Sequence, residues 1–201
     1  MTDRLGIFGG TFNPPHLGHV HAARAASEAL SMRVLFIPDN IPPHKKMPAG
    51  SASPDQRLEM TRLAAMEVEG AEVLDLEIRR SGRSYTADTV EELSLIYPES
   101  ELWLIVGTDM LCTLDSWYQP ERIFAKANIA ALARGYGDKP EIAESAARLR
   151  ENYGAVIELI DAEPLPVSSS EIRDGLYSGM EKWLPESVFA YIKEKGLYLE
   201  A

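Results

Sequence analysis

The segment Gly9–His19 is the part of this sequence best suited to chemistry, because it places two histidines just after a glycine turn. The turn follows an apolar strand predicted over Leu5–Phe8, and an alanine-rich stretch predicts a helix from about Gly18 to Leu30. The unpaired N–H groups and the dipole of a helix N-terminus favour an anion, and glycines let the backbone come close to it. The imidazoles of His16 and His19 could then donate hydrogen bonds to a phosphate. The segment therefore predicts phosphoryl or nucleotidyl transfer.

Two structural explanations compete with this interpretation. The glycines could form an ordinary turn with the histidines on a solvated helix end, or the histidines could bind zinc. Zinc is disfavoured because Cys112 is the only cysteine and no third ligand is obvious. The complete string is more specific than either fragment, and it resembles the signature of the nucleotidyltransferases that share the H-x-G-H motif. Within that group it is most similar to the bacterial nicotinate-nucleotide adenylyltransferases.

Length and composition fit one soluble α/β domain spanning residues 1–201. The chain has 201 residues, of which 45% are hydrophobic, and no apolar run approaches the roughly 20 residues of a membrane span. The N-terminus leads into a strand without a signal-peptide pattern, and a single cysteine agrees with a reducing compartment. We therefore expect a cytoplasmic protein with no membrane partner.

The charge distribution favours a small phosphorylated ligand over a polymer. The formal net charge of −11 argues against binding to nucleic acid, whose phosphates require lysine and arginine. All four histidines nevertheless fall in the first quarter of the chain, and Lys45 and Lys46 follow His44 directly. A locally basic segment in an acidic chain suits a phosphorylated small molecule.

Strands and helices alternate along the chain, which predicts a Rossmann-like parallel sheet with helices on both faces. The further strands are predicted at Arg33–Ile37, Glu72–Leu76, Leu102–Val106, Ile129–Leu132 and Val156–Leu159. The further helices are predicted from Pro54 toward Val68, over Thr86–Ile96, over Pro140–Asn152 and over Pro185–Lys195. The least regular stretch is Pro38–Ser53, and long loops in compact domains are often functional.

That loop carries Asn40 and, just after it, the string P-P-H-K that ends in His44 and Lys45. Ligands of open α/β sheets bind beyond the carboxyl ends of strands, so a loop following the second strand could hold a substrate. A solvated basic loop is the alternative. The string is similar to one at this place in nicotinate-nucleotide adenylyltransferases, and the resemblance implies that the loop helps to hold the mononucleotide.

The stretch Arg79–Thr89 resembles the R-x-G-x-S-Y-T-x-D-T element of the same family. By that resemblance the backbone of Thr86 contacts the nicotinate carboxylate. Capping of the following helix by Thr86 or Asp88 would explain the same residues without a ligand.

A second strand, glycine and helix succession occurs at Gly107 and Asp109, with Trp117 and Tyr118 following shortly after. Asp109 could simply complement the helix dipole, and an isolated tryptophan is more often part of a core. The stretch resembles the family's G-x-D-x-L element, which a tryptophan that stacks on the pyridine ring follows.

The stretch Pro166–Arg173 predicts the end of a strand, a cap and a helix. Ser168 or Ser169 could form an ordinary capping box with Glu171, while the Arg173 guanidinium could clamp phosphate oxygens. The family counterpart, I-S-S-T-x-I-R, binds the triphosphate, and this chain has valine and serine where that pattern has isoleucine and threonine.

The resemblance implies that the mononucleotide phosphate attacks the α-phosphorus of ATP in line, with Mg²⁺ accompanying ATP and no metal ligand assigned to the protein. Catalytic roles then fall on His16, His19 and Arg173. The residues implied around ATP are Gly9, Gly10, Thr11, Phe12, Gly107, Asp109, Ser168, Ser169 and, more weakly, Arg134. Those implied around nicotinate mononucleotide are Asn40, His44, Lys45, Thr86, Trp117 and Tyr118.

One departure from the family pattern is Asn13, where an aspartate is common, and it affects no assigned chemical role. A pantetheine-phosphate adenylyltransferase shares part of the first motif, but P-P-H-K and S-W-Y favour the nicotinate branch. A non-catalytic nucleotide sensor on the same fold is the other alternative, although it would not need both histidines. The sequence leaves homo-oligomerisation open.

Overall fold

A computed structural model describes residues 3–42, 47–132, 139–162 and 165–199 of the chain. Within these residues a single sheet contains six strands. The strands are β1 (Arg4–Gly10), β2 (Arg33–Pro38), β3 (Glu72–Val73), β4 (Glu101–Gly107), β5 (Ala127–Leu132) and β6 (Ile157–Ile160).

The strand order is β3-β2-β1-β4-β5-β6, and the order changes direction between β1 and β4. The pairs β1–β4, β4–β5 and β5–β6 are parallel, with Ile7 opposite Leu104 and Leu104 opposite Ile129. The middle of β4, residues 102–106, is buried throughout, as expected for a parallel strand covered on both faces. This order is that of the Rossmann fold, so the predicted fold class is confirmed.

The long helices lie where the sequence predicts them, within a few residues at each end. The helices are α1 (Leu17–Leu30), α2 (Pro54–Ala65), α3 (Leu76–Arg79), α4 (Thr86–Ile96), α5 (Thr108–Thr113), α6 (Pro120–Phe124), α7 (Lys139–Tyr153), α8 (Ser169–Gly175) and α9 (Glu186–Lys195). The prediction that α2 continues to Val68 is wrong, because tight i→i+3 hydrogen bonds from Glu67 and Val68 end it before Gly70, whose φ is +67°.

The third strand is shorter than predicted. Only Glu72 and Val73 are extended, although the Leu74 N–H still bonds to the Phe36 carbonyl at 3.0 Å. The chain then turns into α3, where Asp75 and Arg79 form an i,i+4 ion pair at 2.8 Å. Short helices such as α3 and α6 carry too few residues to produce a periodic pattern, so the sequence did not predict them.

The chain divides into two compact units, each made of three separated segments. Unit 1 comprises Met1–Phe8, Ala22–Leu35 and Tyr85–Pro164. Its core is built on the buried aliphatic side chains of β4 and β5, where Ile105 and Met32 pack so close to Gly6 that a Cβ there would lie 2.9 Å from each. At the start of β1 and β4, the side chain of Arg4 on β1 donates to the side chain of Glu101 on β4 at 2.9 Å.

Unit 2 comprises Gly9–His21, Phe36–Ser84 and Leu165–Ala201. Its core contains the rings of Phe12 and Phe36, whose centroids lie 5.8 Å apart, and the buried side chain of Met60 on α2. Helix α2 packs on α9, which buries Ile192. The prediction of a single domain stays a prediction. No helix in the described residues has the length and apolar character needed to cross a membrane.

Candidate active site

An open pocket of about 190 Å³ lies entirely within unit 2. The described residues that line it are Thr11, Phe12, Asn13, His19, Met47, Pro48, Ser169, Ser170 and Arg173. None of these side chains is acidic, although the chain carries 31 acidic residues against 20 lysines and arginines. A lining with an arginine and a histidine but no carboxylate favours an anionic ligand.

The two histidines of the H-x-G-H motif lie together, with ring centroids 3.7 Å apart. His16 is buried and precedes the first turn of α1, so its carbonyl accepts hydrogen bonds from the N–H groups of His19 and Val20. In return the His16 N–H donates to Nδ1 of His19 at 3.1 Å. His19 thus takes the place that glutamate holds in a capping box.

This hydrogen bond determines what His19 offers to a ligand. Because its Nδ1 accepts the His16 N–H, a neutral imidazole carries its proton on Nε2. The ring also contacts Phe12 edge to face, at a centroid distance of 5.1 Å. His19 therefore presents an oriented Nε2–H donor on a helix N-terminus.

Gly18 is required by the position of the His16 ring. A Cβ at Gly18 would lie 2.9 Å from Nδ1 of His16 and 3.1 Å from Cγ1 of Val167. A Cβ at Gly9, in contrast, would meet no described atom within 4 Å, which leaves room for a ligand to approach the backbone. At Gly10 the space is taken by Phe12, whose ring would lie 2.9 Å from such a Cβ.

Arg173 connects α8 to the loop of residues 11–16 between β1 and α1, which we call the signature loop. Its Nη1 donates to the Asn13 carbonyl at 2.6 Å and to the Ser169 carbonyl at 3.1 Å, while Nη2 donates to Oγ of Ser170 at 3.1 Å. The Ser169 hydroxyl also donates to the Pro14 carbonyl at 2.8 Å. The structure thus brings Ser169 and Arg173 to the same pocket as Thr11, Phe12 and His19.

Ser168 differs from Ser169. It forms a capping box with Glu171, accepting the Glu171 N–H at 3.2 Å and donating to Oε2 of Glu171 at 2.7 Å. The predicted capping box is therefore confirmed, and the Ser168 hydroxyl is engaged in it. Its assignment to ATP stays a prediction.

We expect Arg173→Lys to raise the KM for ATP about 10- to 100-fold, because lysine cannot offer two parallel donors to one phosphate or keep both tethers. The measurement is steady-state kinetics at varied ATP. Arg148→Lys is a matched control, since Arg148 likewise bonds to a backbone carbonyl and a side chain, but in unit 1. Unchanged ATP kinetics in Arg173→Lys would leave Arg173 as a tether of the loop alone.

A buried ion pair that the sequence analysis did not find lies behind the signature loop. Arg57 on α2 is 1% exposed and donates to the Thr11 carbonyl at 2.8 Å, to Oδ1 of Asp39 at 3.1 Å and to the Asn40 carbonyl at 3.1 Å. The Thr11 hydroxyl donates to the other Asp39 oxygen at 2.8 Å. Burial lowers the pKa of the Arg57 guanidinium, and the Asp39 carboxylate opposes that shift. The pair thus bonds to both loops of unit 2 that the sequence predicts to bind ligands, the loop that carries Thr11 and the loop that carries Asn40.

The Asn40 side chain does not reach the described lining of the pocket. Its Nδ2 donates to the Arg80 carbonyl at 3.2 Å, and its N–H donates to the Ser84 hydroxyl at 3.1 Å. The neighbouring candidates His44 and Lys45 lie outside the described residues, as does Arg134.

A second group of candidates lies in unit 1, at the start of α4. The rings of Tyr85 and Tyr118 stack with centroids 4.3 Å apart, and these residues directly neighbour Thr86, the first residue of α4, and Trp117 in the chain. Gly107 and Asp109 belong to the same unit, where Gly107 is the N-cap of α5 and Asp109 lies exposed in its first turn.

The prediction that Thr86 or Asp88 caps α4 is wrong. Tyr85 is the N-cap residue, and its side chain makes no capping hydrogen bond in the described part of the chain. Asp88 instead accepts a hydrogen bond from Arg122 at 2.9 Å, because α6 packs against α4 and provides a cation. The Asp88 N–H bonds to the Tyr85 carbonyl at 3.1 Å, whereas the N–H groups of Thr86 and Ala87 have no earlier carbonyl of the helix to bond, as at any helix start, and suit a carboxylate.

The described residues contain no group of three or more histidine, cysteine, aspartate or glutamate side chains that could hold a metal ion. Mg²⁺ commonly keeps several waters and binds substrate phosphates with only one or two carboxylates.

The chain is similar to known proteins over nearly its whole length. Residues 7–175 match the family model described as cytidylyltransferase-like. Two relatives, both named probable nicotinate-nucleotide adenylyltransferase, come from Carboxydothermus hydrogenoformans and Gloeobacter violaceus. The first relative is 39% identical, and the match covers 97% of this chain and 98% of the relative. The second relative is 38% identical, and the match covers 98% of this chain and 97% of the relative.

A solved structure gives the same fold. The nicotinic acid mononucleotide adenylyltransferase of Plasmodium falciparum, complexed with NaAD, superposes with a TM-score of 0.77 at 18% identity. The match covers 98% of this chain and 100% of that one. At this identity the likeness is one of fold.

Proposed function

Because the chain belongs to the nicotinate-nucleotide adenylyltransferase family of cytidylyltransferase-like proteins, we propose that it transfers the adenylyl group of ATP to nicotinate mononucleotide. The products are deamido-NAD and pyrophosphate, a step in NAD biosynthesis. The observation that carries this proposal is a pocket lined by His19 and Arg173 and by no described carboxylate, in a chain of net charge −11. Such a lining suits a triphosphate.

In the reaction, an oxygen of the mononucleotide phosphate forms a bond to the α-phosphorus of ATP while the bond from that phosphorus to pyrophosphate breaks. No bond to the protein forms. Negative charge grows on the leaving pyrophosphate, so catalysis depends on holding the reactants in line and on donors that stabilise this charge. His19 provides an Nε2–H donor, and Arg173 provides a guanidinium one turn into α8.

The remaining candidates have supporting roles. Thr11 and Phe12 line the triphosphate pocket with Ser169. Buried His16 packs against the ring of His19 and determines its orientation. By the family resemblance Gly107 and Asp109 are assigned to ATP, and Thr86, Trp117 and Tyr118 to the pyridine ring and its carboxylate. A divalent metal ion accompanies ATP, and we assign that part to Mg²⁺ held on the triphosphate oxygens.

We place the reaction in the cytoplasm, as the sequence predicts, with ATP and nicotinate mononucleotide as the ligands. The net charge of −11 disfavours nucleic acid as a further partner.

The test is pyrophosphate release by the purified chain supplied with ATP and one acceptor at a time. The acceptors are nicotinate mononucleotide, nicotinamide mononucleotide and phosphopantetheine. We expect release with nicotinate mononucleotide. Turnover of phosphopantetheine alone would contradict the proposal in favour of another adenylyltransferase, and ATP binding without release would favour a nucleotide sensor.

We expect kcat/KM for nicotinate mononucleotide to exceed that for nicotinamide mononucleotide at least about thirtyfold. The N–H groups of Thr86 and Tyr118 can only donate, so they match a carboxylate, whereas an amide turns an NH₂ toward one of them and leaves two donors unpaired, at about 1 kcal/mol each. A ratio near one would mean that the carboxylate pocket is misassigned. Trp117→Ala is the control, because loss of stacking weakens both acceptors without reversing the preference.

A further inference from the structure

Asn13, to which the sequence analysis assigned no chemical role, bonds to several segments around the pocket. It is 3% exposed and joins three segments that are distant along the chain. Its backbone carbonyl accepts from Arg173, and its side chain bonds to Ser51, Ala52 and Tyr198.

The orientation of the Asn13 amide follows from these partners. The Ala52 N–H can only donate, and it lies 3.2 Å from Oδ1, which also accepts the Tyr198 hydroxyl at 2.7 Å. Nδ2 therefore faces Oγ of Ser51, at 3.0 Å. Burial raises the pKa of the Tyr198 hydroxyl, so it stays protonated and remains a donor.

The amide orientation in turn determines the direction of the Ser51 hydroxyl. Since Oγ of Ser51 receives a hydrogen from Asn13, its own hydrogen points to the Pro48 carbonyl, 2.8 Å away. Pro48 and Met47 form one wall of the pocket. A chain of directed hydrogen bonds thus leads from Asn13 through Ser51 to that wall.

We propose that Asn13 is a positioning residue whose side-chain amide, through the Ser51 hydroxyl, holds the Met47–Pro48 wall against the ligand. An aspartate at this position would put an acceptor where Nδ2 now donates. The Ser51 hydroxyl would then have to turn its only hydrogen away from Pro48 to reach the carboxylate, and the wall would keep only the longer bond from the Ser51 N–H, at 3.3 Å. Tyr198 holds the amide in place from a left-handed backbone conformation, with φ of +60°.

The test is a double-mutant cycle with Asn13→Asp and Ser51→Ala, and its use of ATP as the probe rests on the proposed function. The readout is the Kd for Mg·ATP by equilibrium binding. We expect each single variant to weaken binding about 3- to 10-fold, and the double variant to resemble the singles because they break the same chain. The wall contacts reactant and transition state alike, so KM rises while kcat changes less than about twofold.

A purely electrostatic effect of the new carboxylate gives a different result. In that case Asn13→Asp weakens ATP binding by its full factor in the Ser51→Ala background as well, and this outcome would overturn the proposal. Ser94→Ala is the matched control, because the Ser94 hydroxyl also donates to the carbonyl three residues earlier, at 2.8 Å, but on α4. It should leave the Kd unchanged.

Amide hydrogen exchange tests the same chain without any substrate. We expect residues 47–52 to exchange faster in Asn13→Asp and in Ser51→Ala, but not in Ser94→Ala. Unchanged exchange in Asn13→Asp would contradict the positioning role even if ATP binding weakened. Faster exchange in Asn13→Asp, together with no pyrophosphate release by the wild-type chain, would instead leave the positioning role standing and refute the proposed function.

Discussion

We expect His19→Asn to lower kcat for adenylyl transfer about 10²- to 10³-fold while the Kd for ATP changes little. The Oδ1 atom of asparagine can occupy the position of Nδ1 and keep the hydrogen bond from the His16 N–H, 3.1 Å long in the wild type. What asparagine lacks is the Nε2–H donor. A donor that strengthens only as charge reaches the leaving pyrophosphate affects kcat more than ground-state binding.

His19→Gln tests the same assignment by the opposite change, because it keeps a donor and removes the acceptor. The amide NH₂ of glutamine can reach toward the position of Nε2, but glutamine loses the acceptor for the His16 N–H. We therefore expect it to recover part of kcat relative to His19→Asn while lowering the free energy of unfolding by about 1 kcal/mol. The two variants should rank in opposite order in kcat and in stability.

The control is His21→Asn, the same substitution on the same helix at a residue outside the described lining of the pocket. It should keep kcat within about twofold of wild type, the range expected away from the reacting groups. Wild-type turnover by His19→Asn would contradict the assignment, since its helix cap is intact. The histidine would then serve only to start α1.

The fold could be predicted from the sequence because its signals are local and repeated. Apolar runs predict β1, β2, β4 and β5 to within two residues, and alanine spacing predicts α1. β3 was predicted three residues too long, since the run Glu72–Leu76 resembles a strand until Asp75 and Arg79 pair within one helical turn. A local hydrophobic pattern does not show that a helical ion pair competes with the strand.

The candidate site was predictable only where a motif stood at the end of an element. His16, His19 and Arg173 stand there, and the structure brings all three to the signature loop. Asn13 and Tyr198 meet across 185 positions of the sequence, a separation that no spacing rule covers. For Arg57 a signal did exist. It shares a face of α2 with Met60, Thr61 and Ala64, and an arginine on the buried face of a helix needs a partner.

We expect Arg57→Met to lower the free energy of unfolding by about 3–5 kcal/mol, the range found when one partner of a buried ion pair is removed. The loss leaves Asp39, only 11% exposed at its side chain, without its cation, and it leaves the Thr11 and Asn40 carbonyls without their donor. The measurement is urea unfolding, with the midpoint compared at unchanged m.

Arg62→Met is the matched control, on the same helix and with the same change of side chain. Arg62 pairs with Glu59 at 3.3 Å, but both side chains are about half exposed, so its loss should cost roughly 0–1 kcal/mol. Equal losses in the two variants would mean that the Arg57 pair contributes no more than a surface pair. Asp39→Asn should fall between them, because the amide keeps an acceptor for Arg57 or Thr11 but removes the charge. Since Arg57 bonds to both predicted ligand loops of unit 2, the order of stability in these variants should also be the order in which ATP affinity falls.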